Sequence, residues 1–202
     1  MLFKVCGITE QDQLDQISEF VDMTGMIFYP KSPRYLTNYF KGNEGNRVGV
    51  FVNENEETIR AIAHEHMLDV IQLHGSESPE LCEALKADFK VIKAFGIDES
   101  FDFEVLNIYE SIDHFLFDTQ TKDHGGSGRQ FNWQLLDKYT LNIPFLLSGG
   151  IGPEHILEIM NFSHPQFEGI DLNSKFEIQP GIKDIQKLKD FTNELRHNIH
   201  TA

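Results

Sequence analysis

The sequence is poor in cysteine, tryptophan and positive charge, and each shortage excludes a class of protein. Its 202 residues include two cysteines, Cys6 and Cys82, and one tryptophan. Two cysteines without paired spacing indicate a reducing compartment rather than a disulfide framework. Lysine and arginine number 17 against 32 aspartates and glutamates, so the formal net charge is −15. Because phosphate backbones and anionic membranes attract clustered cations, we expect neither a nucleic-acid nor a membrane partner.

Long apolar runs are also missing. No uninterrupted run approaches the roughly 20 residues that a membrane-spanning helix needs, and no basic region followed by an apolar run and a cleavage site opens the chain. These features predict a cytoplasmic protein. The hydrophobic content of 40% is enough for one well-packed core, and 202 residues are few for two independent domains. Residues 1–202 are therefore predicted to form a single domain.

What the sequence does contain is a regular succession of short apolar segments. Several read as continuously apolar rather than alternating, which is typical of strands covered on both faces in a parallel sheet. The predicted strands are residues 2–6, 25–29, 47–52, 69–73, 90–95, 114–118, 144–147 and 169–172.

Segments with helical spacing lie between most of these strands. Pro79 and Pro153 suit the first position of a helix, and either Asn53 or Asn55 can serve as an N-cap. The connections at residues 39–44, where there is little room for a helix, and at residues 101–109 are the weakest. The predicted helices are residues 11–21, 56–66, 78–86, 153–160 and 182–197.

Strands that alternate with helical segments, without repeats, low complexity or a linker, predict an α/β fold of the (β/α)8 barrel type. The length of 202 residues lies at the lower limit of this fold, so its loops must be short. An open doubly wound sheet is the alternative. It would normally need fewer strands, and the barrel is therefore favoured.

In such a barrel the reacting groups lie where the strands end, at the C-terminal face. Cys6 and Asp118 each end a predicted strand and together form a candidate acid/base pair. A free thiol has a pKa of about 8.5, so a thiolate base is feasible if the electrostatics of the site lower that pKa. Each residue also has a plain structural interpretation, Cys6 as a small buried hydrophobe and Asp118 as a loop organiser. Arg34 follows two prolines and either grips a carboxylate or is solvated.

The loops after the last two strands indicate a phosphate site. Gly149 and Gly150 follow the seventh strand, and Asn173 and Ser174 follow the eighth. Glycines let the backbone approach an anion, and the next helix N-terminus directs N–H groups towards it. A glycine pair at such a turn also occurs as tight geometry alone. Barrels often bind phosphate with these two loops, so the phosphate interpretation is favoured.

Histidines give no metal signal. His64 and His66 are two apart in a predicted helix and face different sides, so no metal site is predicted there. Gln72 and His74 end the fourth strand, and His74 is interpreted as polar lining rather than a catalytic group. Cys82 lies in a helix and is expected to face the core.

Several motifs occur together from residue 2 to about 190: KVCGIT, SPRY, RVGVFV, VIQLHG, FDT followed by GGSG, LSGGI and PGIKD. In order and spacing they resemble the phosphoribosylanthranilate isomerase family. The resemblance implies a (β/α)8 fold and an enzyme of tryptophan biosynthesis without metal or organic cofactor. Its reaction would be an Amadori rearrangement of N-(5-phosphoribosyl)anthranilate to 1-(2-carboxyphenylamino)-1-deoxyribulose 5-phosphate.

The resemblance also implies roles for individual residues. Cys6 would be the general base that removes the C2 proton of the ribose, and Asp118 the general acid that protonates the ring oxygen. Arg34 would bind near the anthranilate. Lys175 stands where the family usually has glycine, and we expect it to add a phosphate contact. The remaining expected contacts are with substrate at Gln72, His74, Gly126 and Gly128, and with phosphate at Gly149, Gly150, Asn173 and Ser174.

Two other functions compete on the same scaffold. Another phosphosugar isomerase or epimerase is one, but a metal-dependent epimerase would need His and Asp ligands at several strand ends. A non-catalytic barrel that binds a phosphometabolite is the other, and it would not need both Cys6 and Asp118. The sequence is compatible with a monomer or a homodimer.

Overall fold

The computed structural model describes residues 1–42, 46–120 and 130–201, and in it eight parallel strands form a closed barrel. Each strand pairs with the next one along the chain, and the eighth pairs with the first. The predicted (β/α)8 barrel is thereby confirmed, and the open-sheet alternative is wrong. The strands are β1 (Leu2–Val5), β2 (Met23–Ile27), β3 (Asn46–Phe51), β4 (Val70–Leu73), β5 (Lys90–Ile97), β6 (His114–Thr119), β7 (Phe145–Leu147) and β8 (Phe167–Leu172).

Helices of two kinds cover the barrel. The α-helices of the described residues are α1 (Gln11–Ser18), α2 (Glu56–Glu65), α3 (Pro79–Lys86), α4 (Ile156–Asn161) and α5 (Ile185–Thr201). Short 3-10 helices span Phe103–Ile108, Trp133–Lys138, Pro153–His155 and Ser174–Phe176. Between β8 and α5, strands β9 (Glu177–Gln179) and β10 (Ile182–Lys183) form an antiparallel pair. None of the helices that the structure describes is long and apolar enough to cross a membrane.

The helix starts follow capping chemistry. Asn55 caps α2, since its Oδ1 accepts the N–H of Thr58 at 3.0 Å. Pro79 occupies the first turn of α3, where its missing N–H costs nothing. The last helix begins later than predicted, at Ile185, because Ile182 pairs with β9 instead.

The two connections that the sequence marks as weak are indeed short of helix. After β2, residues 28–42 contain no helix among the positions that the structure describes. After β5 the chain forms only the 3-10 helix Phe103–Ile108. The barrel therefore closes without a full α-helix behind every strand.

The hydrophobic core has an outer and an inner part. The outer part lies between strands and helices and includes Cys82, which is buried as expected. The inner part fills the barrel with Met23, Val48, Val70, Ile92, Ala94, Leu116 and Leu146. Side chains two residues apart on a strand share a face, so Leu116 lies beneath Asp118 and Val70 beneath Gln72. This apolar layer lies directly below the polar side chains at the open end of the barrel.

Candidate active site

A cavity of about 340 Å³ opens at the carboxyl ends of the barrel strands. It brings together the candidate acid and base and both predicted phosphate loops, so Cys6 near one end of the chain lies in the same wall as Asn173 and Ser174 near the other. The predicted site residues on its wall are Cys6, Arg34, Gln72, His74, Asp118, Gly149, Gly150, Asn173 and Ser174. Barrel closure, rather than any local motif, produces this meeting.

Three predicted site residues are not among those that the structure shows on this wall. Gly126 and Gly128 lie outside the described residues. Lys175 does not line the cavity. Its ammonium pairs with Glu154 Oε1 at 3.0 Å, and the two side chains are 37% and 52% exposed. A contact between Lys175 and a phosphate would require this surface ion pair to open, and it stays a prediction.

Cys6 follows β1 and is buried in the cavity wall. Its N–H donates to Leu172 O at 2.9 Å, and a Cβ at Gly25 on the next strand would lie 3.0 Å from its Sγ. Burial raises the pKa of the Cys6 thiol, while the ammonium groups of Lys4 and Lys183 act in the opposite direction. The net shift is upward, so the site does not supply the lowered thiol pKa under which the sequence makes a thiolate base feasible. The thiolate is a minor but strongly basic form.

Asp118 ends β6 and is 6% exposed. Burial raises the pKa of its carboxyl to about 7; Asp171 adds to this shift, whereas the N–H of Thr119 and the ammonium of Lys4 oppose it. Oδ1 accepts the Thr119 N–H at 2.8 Å, and Oδ2 lies 3.5 Å from His74 Nε2. A carboxyl with this pKa holds its proton in about half of the molecules at pH 7 and is suited to general acid catalysis.

The sequence analysis did not predict a buried ion pair that lies at the base of the cavity. Lys4 Nζ donates to Asp171 Oδ1 at 2.8 Å, and these residues face each other in the β1–β8 register. Burial acts to lower the pKa of Lys4, but Asp171 and Cys6 together raise it by more, so the net shift is upward. Lys4 is therefore a permanent cation beside the thiol. A signal was present, because Lys4 lies two residues before Cys6 in an apolar strand and so shares its face.

Arg34 belongs to a second charged cluster, at the rim. Its Nε and Nη2 donate to Glu177, the shortest distances being 2.8 and 2.6 Å. Lys183 Nζ donates to the same carboxylate at 2.8 Å and to Asn173 Oδ1 at 2.7 Å. Gly7 has φ +76, and a Cβ there would lie 2.7 Å from Arg34 Cδ. The glycine after Cys6 thus lets the arginine side chain pass. Local patterns could not reveal Glu177 and Lys183, because barrel closure alone brings them to Arg34 and Asn173.

The glycine pair after β7 needs glycine for two reasons. Gly149 and Gly150 have φ +88 and +66, values that favour glycine. A Cβ at Gly149 would also lie 2.2 Å from Thr119 Oγ1 and 3.0 Å from Asp118 Oδ1. Within the described residues the N–H groups of Gly149 and Gly150 have no hydrogen-bond partner. The turn therefore offers donors to an anion next to the candidate acid.

Gln72 leaves an acceptor unsatisfied in the cavity wall. It is 1% exposed, and its Oε1 has no hydrogen-bond partner in the described part of the chain. Its Nε2 lies 3.4 Å from His74 Nδ1. An unpaired buried acceptor costs about 1–3 kcal/mol, so a ligand hydroxyl at this place would be bound favourably. Across residues 1–42, 46–120 and 130–201, no cluster of three His, Cys, Asp or Glu side chains is arranged to hold a metal.

Comparison with known proteins identifies the family of this chain. A family model described as N-(5'phosphoribosyl)anthranilate (PRA) isomerase matches residues 3–194. The N-(5'-phosphoribosyl)anthranilate isomerase of Parabacteroides distasonis is 44% identical over 98% of this chain and 94% of its own length.

Two solved structures extend the similarity to the fold. The phosphoribosyl anthranilate isomerase of Thermus thermophilus superposes with a TM-score of 0.86 at 28% identity, over 98% of this chain and 99% of that one. A phosphoribosyl anthranilate isomerase in complex with reduced 1-(o-carboxyphenylamino)-1-deoxyribulose 5-phosphate superposes with a TM-score of 0.80 at 32% identity, over 98% and 100% of the two chains.

Proposed function

Because the chain belongs to the N-(5'-phosphoribosyl)anthranilate isomerase family, we propose that it converts N-(5-phosphoribosyl)anthranilate to 1-(2-carboxyphenylamino)-1-deoxyribulose 5-phosphate in tryptophan biosynthesis. The observation that carries this proposal is the shared cavity of Cys6 and Asp118. A non-catalytic phosphate-binding barrel would have no use for a carboxyl whose pKa is raised to about 7 in the same cavity as a thiol.

The proposed reaction begins at Asp118. Its carboxyl gives a proton to the ribose ring oxygen, the bond from C1 to that oxygen breaks, and the nitrogen lone pair forms a C1=N double bond. The resulting iminium makes the C2 proton acidic. The Cys6 thiolate accepts this proton and leaves an enolamine, which tautomerises to the ketone. Each proton transfer by a positioned group contributes typically about 10²–10⁴-fold.

The cavity also has a place for each part of the substrate. The phosphate would accept from the N–H groups of Gly149 and Gly150, which lack other partners in the described residues, with Asn173 and Ser174 on the facing loop. Arg34 would bind the anthranilate carboxylate by charge-assisted hydrogen bonds. A ribose hydroxyl would satisfy the orphan Oε1 of Gln72. These assignments place the ribose between the acid and the base.

Other properties belong to the proposal as well. His74 would orient the Asp118 carboxylate, whose Oδ2 lies 3.5 Å from its Nε2, and Gly126 and Gly128 keep their predicted substrate contacts. A single domain over residues 1–202 and a cytoplasmic location stay predictions. So does the choice between a monomer and a homodimer.

The test follows anthranilate-ring fluorescence while freshly prepared N-(5-phosphoribosyl)anthranilate is consumed. We expect turnover by the wild type and a loss of about 10²-fold or more in both Cys6→Ser and Asp118→Asn, with unchanged thermal melting. Cys82→Ser is the matched control, since Cys82 is buried away from the cavity, and it should keep full activity. A wild type without turnover would refute the proposed function, and full activity in Cys6→Ser would return that cysteine to a packing role.

A further inference from the structure

We infer that Glu177 is a positioning residue: it holds one edge of the Arg34 guanidinium so that the opposite edge meets the anthranilate carboxylate. This inference rests on the proposed function and deepens it. Glu177 lies in β9, outside the barrel strands. Its proposed action is on Arg34 rather than on the reacting atoms.

The contact between the two side chains has a fixed fork geometry. Arg34 Nε lies 2.8 Å from Oε1 and Nη2 lies 2.6 Å from Oε2 of Glu177. The side chains are 12% and 5% exposed, unlike a solvated surface pair. Two parallel bonds of this kind fix the plane of the guanidinium as well as its position.

The other edge of the guanidinium is available. Arg34 lines the cavity, and its Nη1 has no hydrogen-bond partner among residues 1–42, 46–120 and 130–201. A guanidinium has a second edge, formed by Nη1 and Nη2, that matches a carboxylate. With Nε engaged by Glu177, this second edge is the one that a ligand can use.

Glu177 is itself held in place, so it can act as a support. Its Oε1 accepts from Lys183 Nζ at 2.8 Å and from the Gly181 N–H at 3.0 Å. Burial acts to raise the pKa of Glu177, but Arg34 and Lys183 lower it below its usual value. The carboxylate is therefore ionised between two cations. Two positive charges against one negative charge leave the cluster net positive, which still attracts an anionic ring substituent.

Support of this kind predicts an effect on binding. Without Glu177 the long Arg34 side chain would populate several rotamers, and binding would have to order it. We expect Glu177→Gln to weaken binding of the reduced product analogue about tenfold while kcat stays within about threefold of wild type. Glu56→Gln is the matched control, because it breaks the Glu56–Arg60 pair far from the cavity, and it should leave binding unchanged.

The experiment is a double-mutant cycle read by calorimetry. The dissociation constant of reduced 1-(o-carboxyphenylamino)-1-deoxyribulose 5-phosphate is measured for wild type, Glu177→Gln, Arg34→Ala and the double variant. The inference requires that Glu177→Gln changes this constant in the wild-type background but not in the Arg34→Ala background. An equal loss in both backgrounds would show a merely structural role and overturn it, as would no loss at all.

A folding defect in Glu177→Gln, and a failure of the proposed function, can each be told apart from a failure of this inference. If Glu177→Gln does not fold, Glu177→Asp keeps the charge beside Lys183 and shortens the fork, and it should show a smaller loss that again depends on Arg34. A wild type that binds the analogue but does not turn over N-(5-phosphoribosyl)anthranilate would refute the proposed function alone. A wild type that turns over the substrate while the cycle shows no coupling would refute the role of Glu177 alone.

Discussion

The Lys4–Asp171 and Lys93–Glu77 pairs are alike in chemistry and burial but lie on opposite sides of the barrel wall. Their Nζ–O distances are 2.8 and 3.0 Å, and no side chain of the four is more than 6% exposed. Lys4 shares the face of Cys6 inside the barrel, whereas Lys93 alternates with the inner-core residues of β5 and points outwards.

The surroundings of the two lysines explain why two chemically similar ion pairs have different effects. Lys93 also donates to the carbonyl oxygens of Leu73, Gly75 and Ala94, and Glu77 accepts the N–H of Asn53 at 2.8 Å. The hydrogen-bonding groups of the outer pair are therefore occupied by protein partners, and the pair holds neighbouring loops in place. The inner pair instead acts on the cavity: burial raises the pKa values of Cys6 and Asp118, Lys4 acts to lower both, and Asp171 acts to raise both. Burial and pairing alone therefore do not identify a functional charge.

Breaking the outer pair should give the largest effect, and it should be on stability. Lys93→Met leaves the Glu77 carboxylate buried without its cation, which costs about 3–5 kcal/mol. We expect a clearly lower Tm in a thermal melt, while kcat measured below the transition stays near the wild-type value. The double variant Lys93→Met/Glu77→Gln should recover part of the stability. A loss of kcat as large as the one caused by Lys4→Met would abolish the distinction between the pairs.

Breaking the inner pair should act on turnover as well as on stability, since Asp171 would also be left buried without its cation. The Lys4 ammonium acts to lower the pKa of Cys6. Lys4→Met should therefore raise that pKa further and lower kcat/KM at pH 7 by about 100-fold, or about 2.7 kcal/mol. Steady-state kinetics on folded protein measure this, with Lys93→Met as the comparison. Turnover within twofold of wild type would assign Lys4 to structure.

A substitution that alters the shape of the cavity without changing its charge should have a smaller effect on turnover. A Cβ in Gly149→Ala would press on Thr119 Oγ1 and approach Asp118 Oδ1 to 3.0 Å, and misplaced reacting groups lose rate steeply. We expect kcat to fall about tenfold. Gly152→Ala lies in the same loop, where its Cβ would meet only the flexible end of Glu154, and should keep near wild-type kcat. Equal kcat values for the two variants would contradict the proposed contact with the acid.

The exposed Lys175–Glu154 pair should give the smallest effect. Solvent screens such pairs, and they contribute about 0–1 kcal/mol. Lys175→Ala should therefore hardly change the Tm. The same variant tests the phosphate contact predicted from the sequence: a raised KM would support it, and an unchanged KM would exclude it.

The sequence predicted the barrel because its evidence is local. Apolar runs mark parallel strands wherever they occur, and β3, predicted at 47–52, forms at Asn46–Phe51. Strand ends then located Cys6 and Asp118. Glu177 was missed, because it meets Arg34 across 143 positions of chain, and no local pattern carries such a contact. The upward shift of the pKa of Cys6 was missed too, since it depends on how deeply the thiol is buried.

The ionisation of the two reacting groups has a consequence for pH dependence. In the proposed reaction the productive form has Asp118 protonated and Cys6 deprotonated, although the pKa of Cys6 is the higher of the two. Below pH 7 the fraction of thiolate rises with pH while Asp118 keeps its proton. Above the Asp118 pKa of about 7, the two changes cancel until the raised pKa of Cys6 is reached. The kcat/KM should therefore rise, level off and finally fall.

The most direct measurement is the pH dependence of kcat/KM for wild type and Asp118→Asn. We predict a break from rising to level near pH 7 in the wild type, set by the burial of Asp118. In Asp118→Asn this break should disappear, and the residual activity should rise until Cys6 is ionised. A break that stays in place in the variant would belong to another group, such as the substrate phosphate with its pKa near 6, and would contradict Asp118 as the acid.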